Sequence, residues 1–282
     1  MKINGKALYS PNGAAREYGR VGCNLYTGCP HDCAYCYLKR GVLSHAMGST
    51  NVRLKSCFSS PENAFEVFCR EVDKYEEHLK ETGIFFSFST DPLIKETREL
   101  TEKCVKYAVE KGIKVQILTK NADFIKDTFF GIWAAIQKTR HITKMVSFGF
   151  TLTGRDDMEK GAPGNDERIE AMRYLNVLGY RTFASIEPVI DWESSRRVIE
   201  QSLDCCDHYK IGLRSGVPKN YYNTEESCRM VKELTALIVK AGHTVYLKKS
   251  IRELLVNSLG EEKTEELLAL TVDMDGKPHI KQ

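Results

Sequence analysis

The segment GCPHDCAYCY contains a C-x3-C-x2-C triplet made of Cys29, Cys33 and Cys36. Three thiolates this close in the chain can bind three corners of a [4Fe–4S] cluster, which is usually held by four cysteines. No fourth cysteine follows in the run, so one iron of such a cluster would keep an open coordination position. An open position distinguishes a metal that does chemistry from a metal that only stabilises a fold. The triplet therefore predicts a reactive iron–sulfur cluster.

A structural zinc site is the alternative interpretation of the same cysteines. His31 or Cys23 could supply a fourth ligand, and the chain would then be a non-enzymatic metal-binding module. Zinc ligands, however, usually come as two separated pairs that join distant segments. A single compact triplet with Tyr35 before its last cysteine fits that pattern poorly, so the sequence favours the cluster.

Bulk composition indicates an ordinary globular protein. The chain has 282 residues, of which 42% are apolar and 28% are charged, and a formal net charge of +3. It contains no apolar run long enough to cross a bilayer and no signal-peptide pattern at its start, so we expect a cytoplasmic protein without a membrane partner. That compartment argues against disulfides among the ten cysteines. The small net charge does not by itself indicate a nucleic-acid partner, although it leaves room for a local basic groove.

The elements that must position the cysteines alternate between strands and helices. A strand around residues 22–26 leads into the cysteine loop, and amphipathic helical stretches separate the later apolar runs. We expect those later strands at residues 84–90, 114–119, 144–152, 181–190, 208–213 and 243–248. Such alternation predicts an α/β fold with parallel strands.

Six or seven βα units are fewer than the eight of a closed barrel, so we expect a partial, open TIM-like (β/α)6 barrel with its active site at the carboxyl ends of the strands. The predicted divisions are an N-terminal extension over residues 1–19, the barrel over residues 20–250 and a short helical C-terminal extension over residues 251–282.

Polar residues occur where these strands are expected to end, at the mouth that also holds the cysteine loop. They are Ser89, Thr90 and Asp91 after the second strand, Lys120 after the third, Ser147 on the fourth and Glu187 on the fifth. Each alone could cap a helix, pair with a neighbour or face solvent. Together they form the lining that a buried polar cofactor needs.

With Tyr35 included, the triplet reads C-x3-C-x-aromatic-C and resembles the cluster motif of the radical S-adenosylmethionine (radical SAM) superfamily. The resemblance implies two cofactors, a [4Fe–4S] cluster and S-adenosyl-L-methionine, whose amino and carboxylate groups occupy the open iron. An electron from the reduced cluster then cleaves S-adenosylmethionine to a 5′-deoxyadenosyl radical, which abstracts hydrogen from a substrate. A reducing protein such as flavodoxin or ferredoxin is implied as the electron donor.

A closer resemblance covers residues 9–191. The strings SPNGAAREYGRVGCNLYTGCPHDCAYCY, FSTDP, ILTKN and EKGAPGNDERIEAMRYLNVLGY resemble the successive motifs of the spore-photoproduct-lyase-like (SPL-type) branch of that superfamily. The resemblance implies that Thr90, Lys120 and Ser147 contact the cofactor. It also implies that Tyr35 and Tyr37 lie near the cofactor.

One position departs from the branch. The lyase has a hydrogen-donating cysteine where this chain has Phe88. Repair of a DNA photoproduct would need a relocated donor, for which Tyr35, Tyr37 and Cys57 are the candidates. The sequence therefore predicts a radical SAM enzyme with an unidentified substrate. A lyase acting on a nucleic-acid lesion stays an alternative.

Overall fold

The computed structural model describes residues 1–41, 43–127, 142–218 and 220–279, and its centre is an eight-stranded sheet. The strands of the described residues are β1 (Leu8–Tyr9), β2 (Gly22–Cys23), β3 (Tyr26–Thr27), β4 (Arg53–Leu54), β5 (Ile84–Phe86), β6 (Val115–Thr119), β7 (Val146–Thr151), β8 (Arg181–Val189), β9 (His208–Leu213) and β10 (Thr244–Leu247). The strands β3 and β4 form a separate antiparallel pair, and the other eight form the sheet.

The main sheet runs in the order β1-β2-β5-β6-β7-β8-β9-β10. All neighbours from β2 to β10 are parallel, and only β1 pairs antiparallel with β2. Strand order thus follows chain order, as in a TIM barrel. No pairing joins β10 back to β1 or β2 within the described ranges, so the sheet is open there. The predicted α/β fold with parallel strands is confirmed.

Helices separate most of the parallel strands. The α-helices of the described ranges span Leu43–Met47, Pro61–Lys74, Glu76–Thr82, Arg98–Glu110, Phe124–Asp127, Ile142–Met145, Asn165–Val177, Trp192–Ser202, Thr224–Lys240, Lys249–Leu259 and Glu261–Leu268. Short 3-10 helices span Gly13–Glu17, Tyr37–Lys39 and Asp156–Met158. Side-chain capping explains where several of these helices begin. The Asp191 carboxylate accepts a hydrogen bond from the backbone N–H of Ser194 at 2.7 Å, which satisfies a free donor in the first turn.

Residues of the predicted N-terminal extension belong to the main sheet, and the predicted C-terminal extension contains helices. Strand β1 lies within the predicted N-terminal extension, yet it pairs with β2 of the sheet. At the other end, the last two helices are followed by an isolated bridge between Val272 and Pro278. Residues 280–282 of the predicted C-terminal extension lie outside the described residues. The divisions at residues 19 and 250 stay predictions.

The core lies where apolar strand residues meet the covering helices. Phe148 in β7 is fully buried, and its ring stacks on Phe124 with centroids 5.7 Å apart and meets Tyr180 edge-on at 5.2 Å. Five of the six residues of β7 are buried, as expected for a strand that is covered on both faces. No helix among the described residues is long and apolar enough to cross a membrane.

We predict that Phe148→Ala lowers the free energy of unfolding by about 3–5 kcal/mol, because it removes buried apolar contacts and leaves a cavity. Val177→Ala is the control, since that side chain is 79% exposed. Its expected cost is within about 0.5 kcal/mol. Urea unfolding of the two variants measures both values. Similar small losses in both would contradict the burial of Phe148.

Candidate active site

A cavity of about 540 Å³ opens at the carboxyl ends of the parallel strands. Its wall includes the three cysteines of the triplet, Cys29, Cys33 and Cys36. The described strands contribute ten further polar wall residues from their carboxyl halves or from the segments that follow. These are Ser87, Thr90, Asp91, Thr119, Lys120, Thr151, Ser185, Glu187, Arg214 and Lys248. The cysteine loop and the strand ends therefore share one site, as a barrel-like sheet requires.

The cysteine loop is anchored at both of its ends. The backbone N–H of Cys29 donates to the carbonyl of Ser49 at 2.9 Å, and that of Ala34 donates to the carbonyl of Met158 at 2.9 Å. Gly28 enters the loop with φ of 83°, and a Cβ there would lie 2.2 Å from the carbonyl oxygen of Asn51. Glycine is therefore required. Burial, with the nearby Asp91 carboxylate, raises the pKa of the Cys29 thiol to about 12.

Asp91 ties this loop to two strand ends. Its Oδ2 accepts from the backbone N–H of Lys120 at 2.7 Å and faces Nε2 of His31 at 2.9 Å. Its Oδ1 accepts from the hydroxyl of Thr119 at 2.7 Å and the backbone N–H of Leu93 at 3.0 Å. Burial alone would raise the pKa of this carboxyl, but the bond and charge of His31 and the other donors outweigh it and hold the pKa at about 2.

Those four bonds change the role expected for Asp91. An ionised carboxylate has about four lone-pair directions, and all are used within the protein. Although Asp91 lines the cavity, as a cofactor ligand would, its oxygens position the loop and the strand ends instead of binding a further group.

The fourth ligands considered for zinc are engaged elsewhere. The Nδ1 of His31 lies 3.1 Å from the carbonyl of Gly161, so both ring nitrogens have partners. Cys23 is fully buried in the main apolar core. Among the described residues, no group of three or more His, Cys, Asp or Glu side chains is arranged to hold a single metal ion. The arrangement thus gives no support to the zinc alternative.

A buried ion pair holds the loop from the opposite side. Glu159 and Arg168 are fully buried and 2.8 Å apart. The hydroxyl of Tyr35 donates to the same carboxylate, while Arg168 also donates to the carbonyl of Thr151 at 2.9 Å. Close approach of the two segments requires Gly161, because a Cβ there would lie 2.2 Å from the carbonyl oxygen of Pro30. Tyr35 is thus fixed in the wall beside Cys33.

Two predicted cofactor residues present free polar groups to the cavity. The buried hydroxyl of Thr90 has no hydrogen-bond partner in the described structure. The Lys120 ammonium lies 5.6 Å from the centroid of the Tyr35 ring. It forms no ion pair with any carboxylate of the described ranges. Buried donors without partners are rare in proteins, so this end of the cavity is suited to a polar ligand.

Glu187 lies in a second polar cluster on the cavity wall. Its Oε2 accepts from the hydroxyl of Tyr18 at 2.6 Å and pairs with Nζ of Lys248 at 2.5 Å. The Tyr18 hydroxyl also lies 2.5 Å from Oγ of Ser185, and Lys248 stands over the Tyr18 ring at 4.3 Å. These bonds join the N-terminal segment to the carboxyl ends of β8 and β10. The carboxylate of Glu187 is therefore already paired.

Three of the predicted residues do not reach the cavity. Ser147 lies at the amino-terminal end of β7, opposite Gln116 and Arg181, and the cavity wall instead includes Thr151 at the carboxyl end. The hydroxyl of Ser89 donates to the carbonyl of Tyr26 at 2.5 Å. Cys57 is exposed outside the cavity. The structure therefore places Ser147 and Ser89 outside the cavity in which the cofactor contacts were expected.

Tyr37 and Phe88 are neighbours in the cavity wall. The hydroxyl of Tyr37 donates to the carbonyl of Phe88, and Tyr37 remains 48% exposed. The Phe88 ring stacks on Phe85 with centroids 4.6 Å apart. Phe88 therefore forms an aromatic part of the cavity wall.

Sequence reasoning missed three of the residues that build the site. Arg168 occupies a helix, where an arginine is ordinarily exposed, and Tyr18 precedes the first parallel strand without any local motif. Lys248 directly follows β10, so the strand-end argument that selected Lys120 could have found it. The partners of Tyr18 and Lys248 are distant in sequence, and no local pattern indicates them.

No family model matches this chain, and no curated protein matches it in sequence. Among solved structures, SuiB of Streptococcus suis bound to S-adenosylmethionine is similar, with a TM-score of 0.51 and 15% sequence identity. The match covers 78% of this chain and 44% of that one, so the chain spans less than half the length of SuiB. What the two share is the fold.

A second match is weaker. It is a mandelate racemase/muconate lactonizing enzyme from Bordetella bronchiseptica RB50, with a TM-score of 0.31 and 12% identity over 80% of this chain and 57% of that one. At that TM-score the likeness carries no argument.

We predict that Arg168→Leu lowers the free energy of unfolding by about 3–5 kcal/mol, because the Glu159 charge would remain buried without its partner. Arg173→Leu, in the same helix, is the matched control. Arg173 forms partly exposed ion pairs with Glu170 and Asp204. Its removal is expected to cost about 1 kcal/mol or less. Chemical denaturation measures both, and equal costs would show that burial of the Glu159–Arg168 pair is not decisive.

We predict that the stability difference between the protein and its Asp91→Asn variant depends on pH. The pKa of Asp91 lies at about 2 in the folded protein, below its ordinary 3.8, so ionisation stabilises the fold at neutral pH. The contribution is complete above pH 5 and lost as the pH falls towards 2. Denaturation at pH 7 and pH 3 should show the difference shrink by about 1 kcal/mol. A difference unchanged at pH 3 would contradict this assignment.

Proposed function

We propose that this protein is a radical SAM enzyme in which Cys29, Cys33 and Cys36 bind a [4Fe–4S] cluster and S-adenosylmethionine binds beside it. One observation carries the proposal. The three thiols line the same 540 Å³ cavity as the free ammonium of Lys120 and the unpartnered hydroxyl of Thr90. A solved structure of similar fold holds S-adenosylmethionine.

The donor set fits a cluster better than a single ion. One ion needs all of its ligands within about 2.0–2.6 Å, which forces the donor atoms close together. In a cluster each thiolate binds a different iron, so the sulfurs stand further apart. The described residues include the three thiols, but no three His, Cys, Asp or Glu side chains among them are close enough together to hold a single ion. The cavity volume is also within the range that binds small cofactors.

The bound cofactors would supply reductive cleavage of S-adenosylmethionine and a 5′-deoxyadenosyl radical. The protein supplies binding, orientation and exclusion of water. Lys120 would pair with the carboxylate of the cofactor, and the Thr90 hydroxyl would bond another of its polar groups. Tyr35, held by Glu159, forms a fixed wall. Apolar side chains of Phe88, Leu118 and Leu213 line the same cavity and limit the access of water.

The electron for this cleavage would come from a reducing protein such as flavodoxin or ferredoxin. Cys36 is partly exposed, and the 3-10 helix Tyr37–Lys39 follows it directly, so the triplet lies near the protein surface. A cluster in this position is close enough to solvent for a docked electron donor. The remainder of the cavity would hold the substrate from which hydrogen is taken.

An SPL-type nucleic-acid lyase is the second candidate, and Tyr37 is the observation that favours it. Tyr37 lines the cavity and is half exposed, so it could serve as a relocated hydrogen donor. Phe88 and the position of Cys57 outside the cavity argue against a thiol donor. Binding to single-stranded DNA that weakens steeply with salt, together with loss of lesion repair in Tyr37→Phe, would support this candidate.

We predict that Cys36→Ala abolishes both the iron content and the formation of 5′-deoxyadenosine, because it removes one of three cluster ligands. Cys57→Ala, which changes an exposed cysteine outside the cavity, should retain both. The assay is anaerobic reconstitution with iron and sulfide, followed by dithionite and S-adenosylmethionine. Stoichiometric zinc with no 5′-deoxyadenosine from the unaltered protein would indicate a metal-binding module. Turnover by Cys36→Ala would contradict the proposed ligand.

A further inference from the structure

Among the described residues that line the cavity, every carboxylate is paired, whereas two cations are not. Asp32 pairs with Lys39, Asp91 with His31, and Glu187 with Lys248. Lys120 and Arg214 also line the cavity. Within the described ranges neither side chain forms an ion pair or donates a hydrogen bond. The cavity therefore contains two positive groups that have no side-chain partner among the described residues.

The two cations belong to different parts of the site. Lys120 follows β6 and stands over Tyr35, whose ring packs with Cys33. Arg214 follows β9, three strands further along the sheet. S-adenosylmethionine has a single carboxylate, which Lys120 is placed to bind in the proposed function. Arg214 is then left for an anion on a second molecule.

Arg214 is held in a defined position. Its backbone N–H donates to the hydroxyl of Tyr222 at 2.8 Å, and that hydroxyl donates to the carbonyl of Val189 at 2.5 Å. Its guanidinium lies over the ring of Tyr221, 5.9 Å from the centroid. The Nε atom is buried and has no partner among the described residues. A fixed planar group with free N–H donors matches the geometry of a carboxylate or phosphate.

A second guanidinium adjoins this position. Arg40 Nη1 donates to the carbonyl of Ser215, the residue after Arg214, at 2.7 Å. Arg40 has no ion pair with a carboxylate of the described chain. Gly216 permits the contact, because a Cβ there would lie 2.5 Å from the same Nη1 atom. Two positive side chains therefore lie beside the same turn after β9, Arg214 in the cavity wall and Arg40 next to that wall.

We propose that Arg214, assisted by Arg40, binds an oxyanion of the substrate, either a phosphate or a carboxylate. That the anion belongs to the substrate rests on the proposed function. The binding of an anion by Arg214 does not. The proposal assigns different parts of one cavity to two ligands. The Lys120 end takes the cofactor, and the Arg214 end takes the anionic group that orients the substrate.

The test is isothermal titration of the anaerobically reconstituted full chain with sodium pyrophosphate and, separately, with glutarate. We expect at least one probe to bind at one site per chain, and the tighter probe identifies phosphate or carboxylate. Arg214→Gln should weaken that binding about tenfold or more, as loss of a charge-assisted hydrogen bond does. Arg214→Lys should weaken it less, because the charge remains. Arg53→Gln, an exposed arginine outside the cavity, is the matched control and should bind normally.

Two results would overturn the inference. One is the absence of binding by both probes to the unaltered chain. The other is binding that survives in Arg214→Gln and Arg214→Lys but is lost in Lys120→Gln, since the anion would then occupy the cofactor end. Titration with S-adenosylmethionine distinguishes this failure from failure of the proposed function. Pyrophosphate or glutarate binding that depends on Arg214, in a chain that neither binds nor cleaves S-adenosylmethionine, would retain the anion site and refute the radical SAM proposal.

Discussion

Asp91, in the cavity wall, accepts four hydrogen bonds, from His31 in the cysteine loop, from Leu93 in the segment after β5 and from two groups at the end of β6. Burial of this charge is costly unless every acceptor direction is satisfied. The loop, the strand ends and Lys120 therefore have one arrangement in which the carboxylate is stable. The positions of the three cysteines relative to the strands follow from that requirement, because His31 lies between Cys29 and Cys33.

The Glu159–Arg168 pair applies the same constraint from the far side of the loop. It fixes Tyr35 and brings the segment after β7 against Pro30 and His31. Buried charges of this kind add little net stability compared with apolar packing, but removing one partner is strongly unfavourable. The outcome is a rigid wall around the thiols. Polar groups left free within a rigid wall, Thr90 and Lys120 among them, are positioned in advance for a ligand.

Much of this arrangement could be predicted from the sequence. Alternating apolar runs located β6 and β9 to within one residue, and the strand-end argument selected Thr90 and Lys120. Ser147 was expected at the cavity, but it is the second residue of β7 and lies about 13 Å from the carboxyl end at 3.3 Å per residue, where Thr151 lines the cavity instead. Tyr18 and Lys248 meet across 230 residues, so their contact depends on curvature of the whole sheet. The local sequence around Arg168 does not indicate that packing of its helix buries the side chain.

The central claim is that a cluster with an open iron position lies in this cavity and that S-adenosylmethionine binds to that iron. Electron paramagnetic resonance of the reconstituted, dithionite-reduced protein tests it directly, because a ligand on one iron changes the spectrum of the whole cluster. The account predicts the signal of a reduced [4Fe–4S] cluster and a change in its g values when S-adenosylmethionine is added. A protein without that signal, or with a signal unaffected by saturating S-adenosylmethionine, would contradict it.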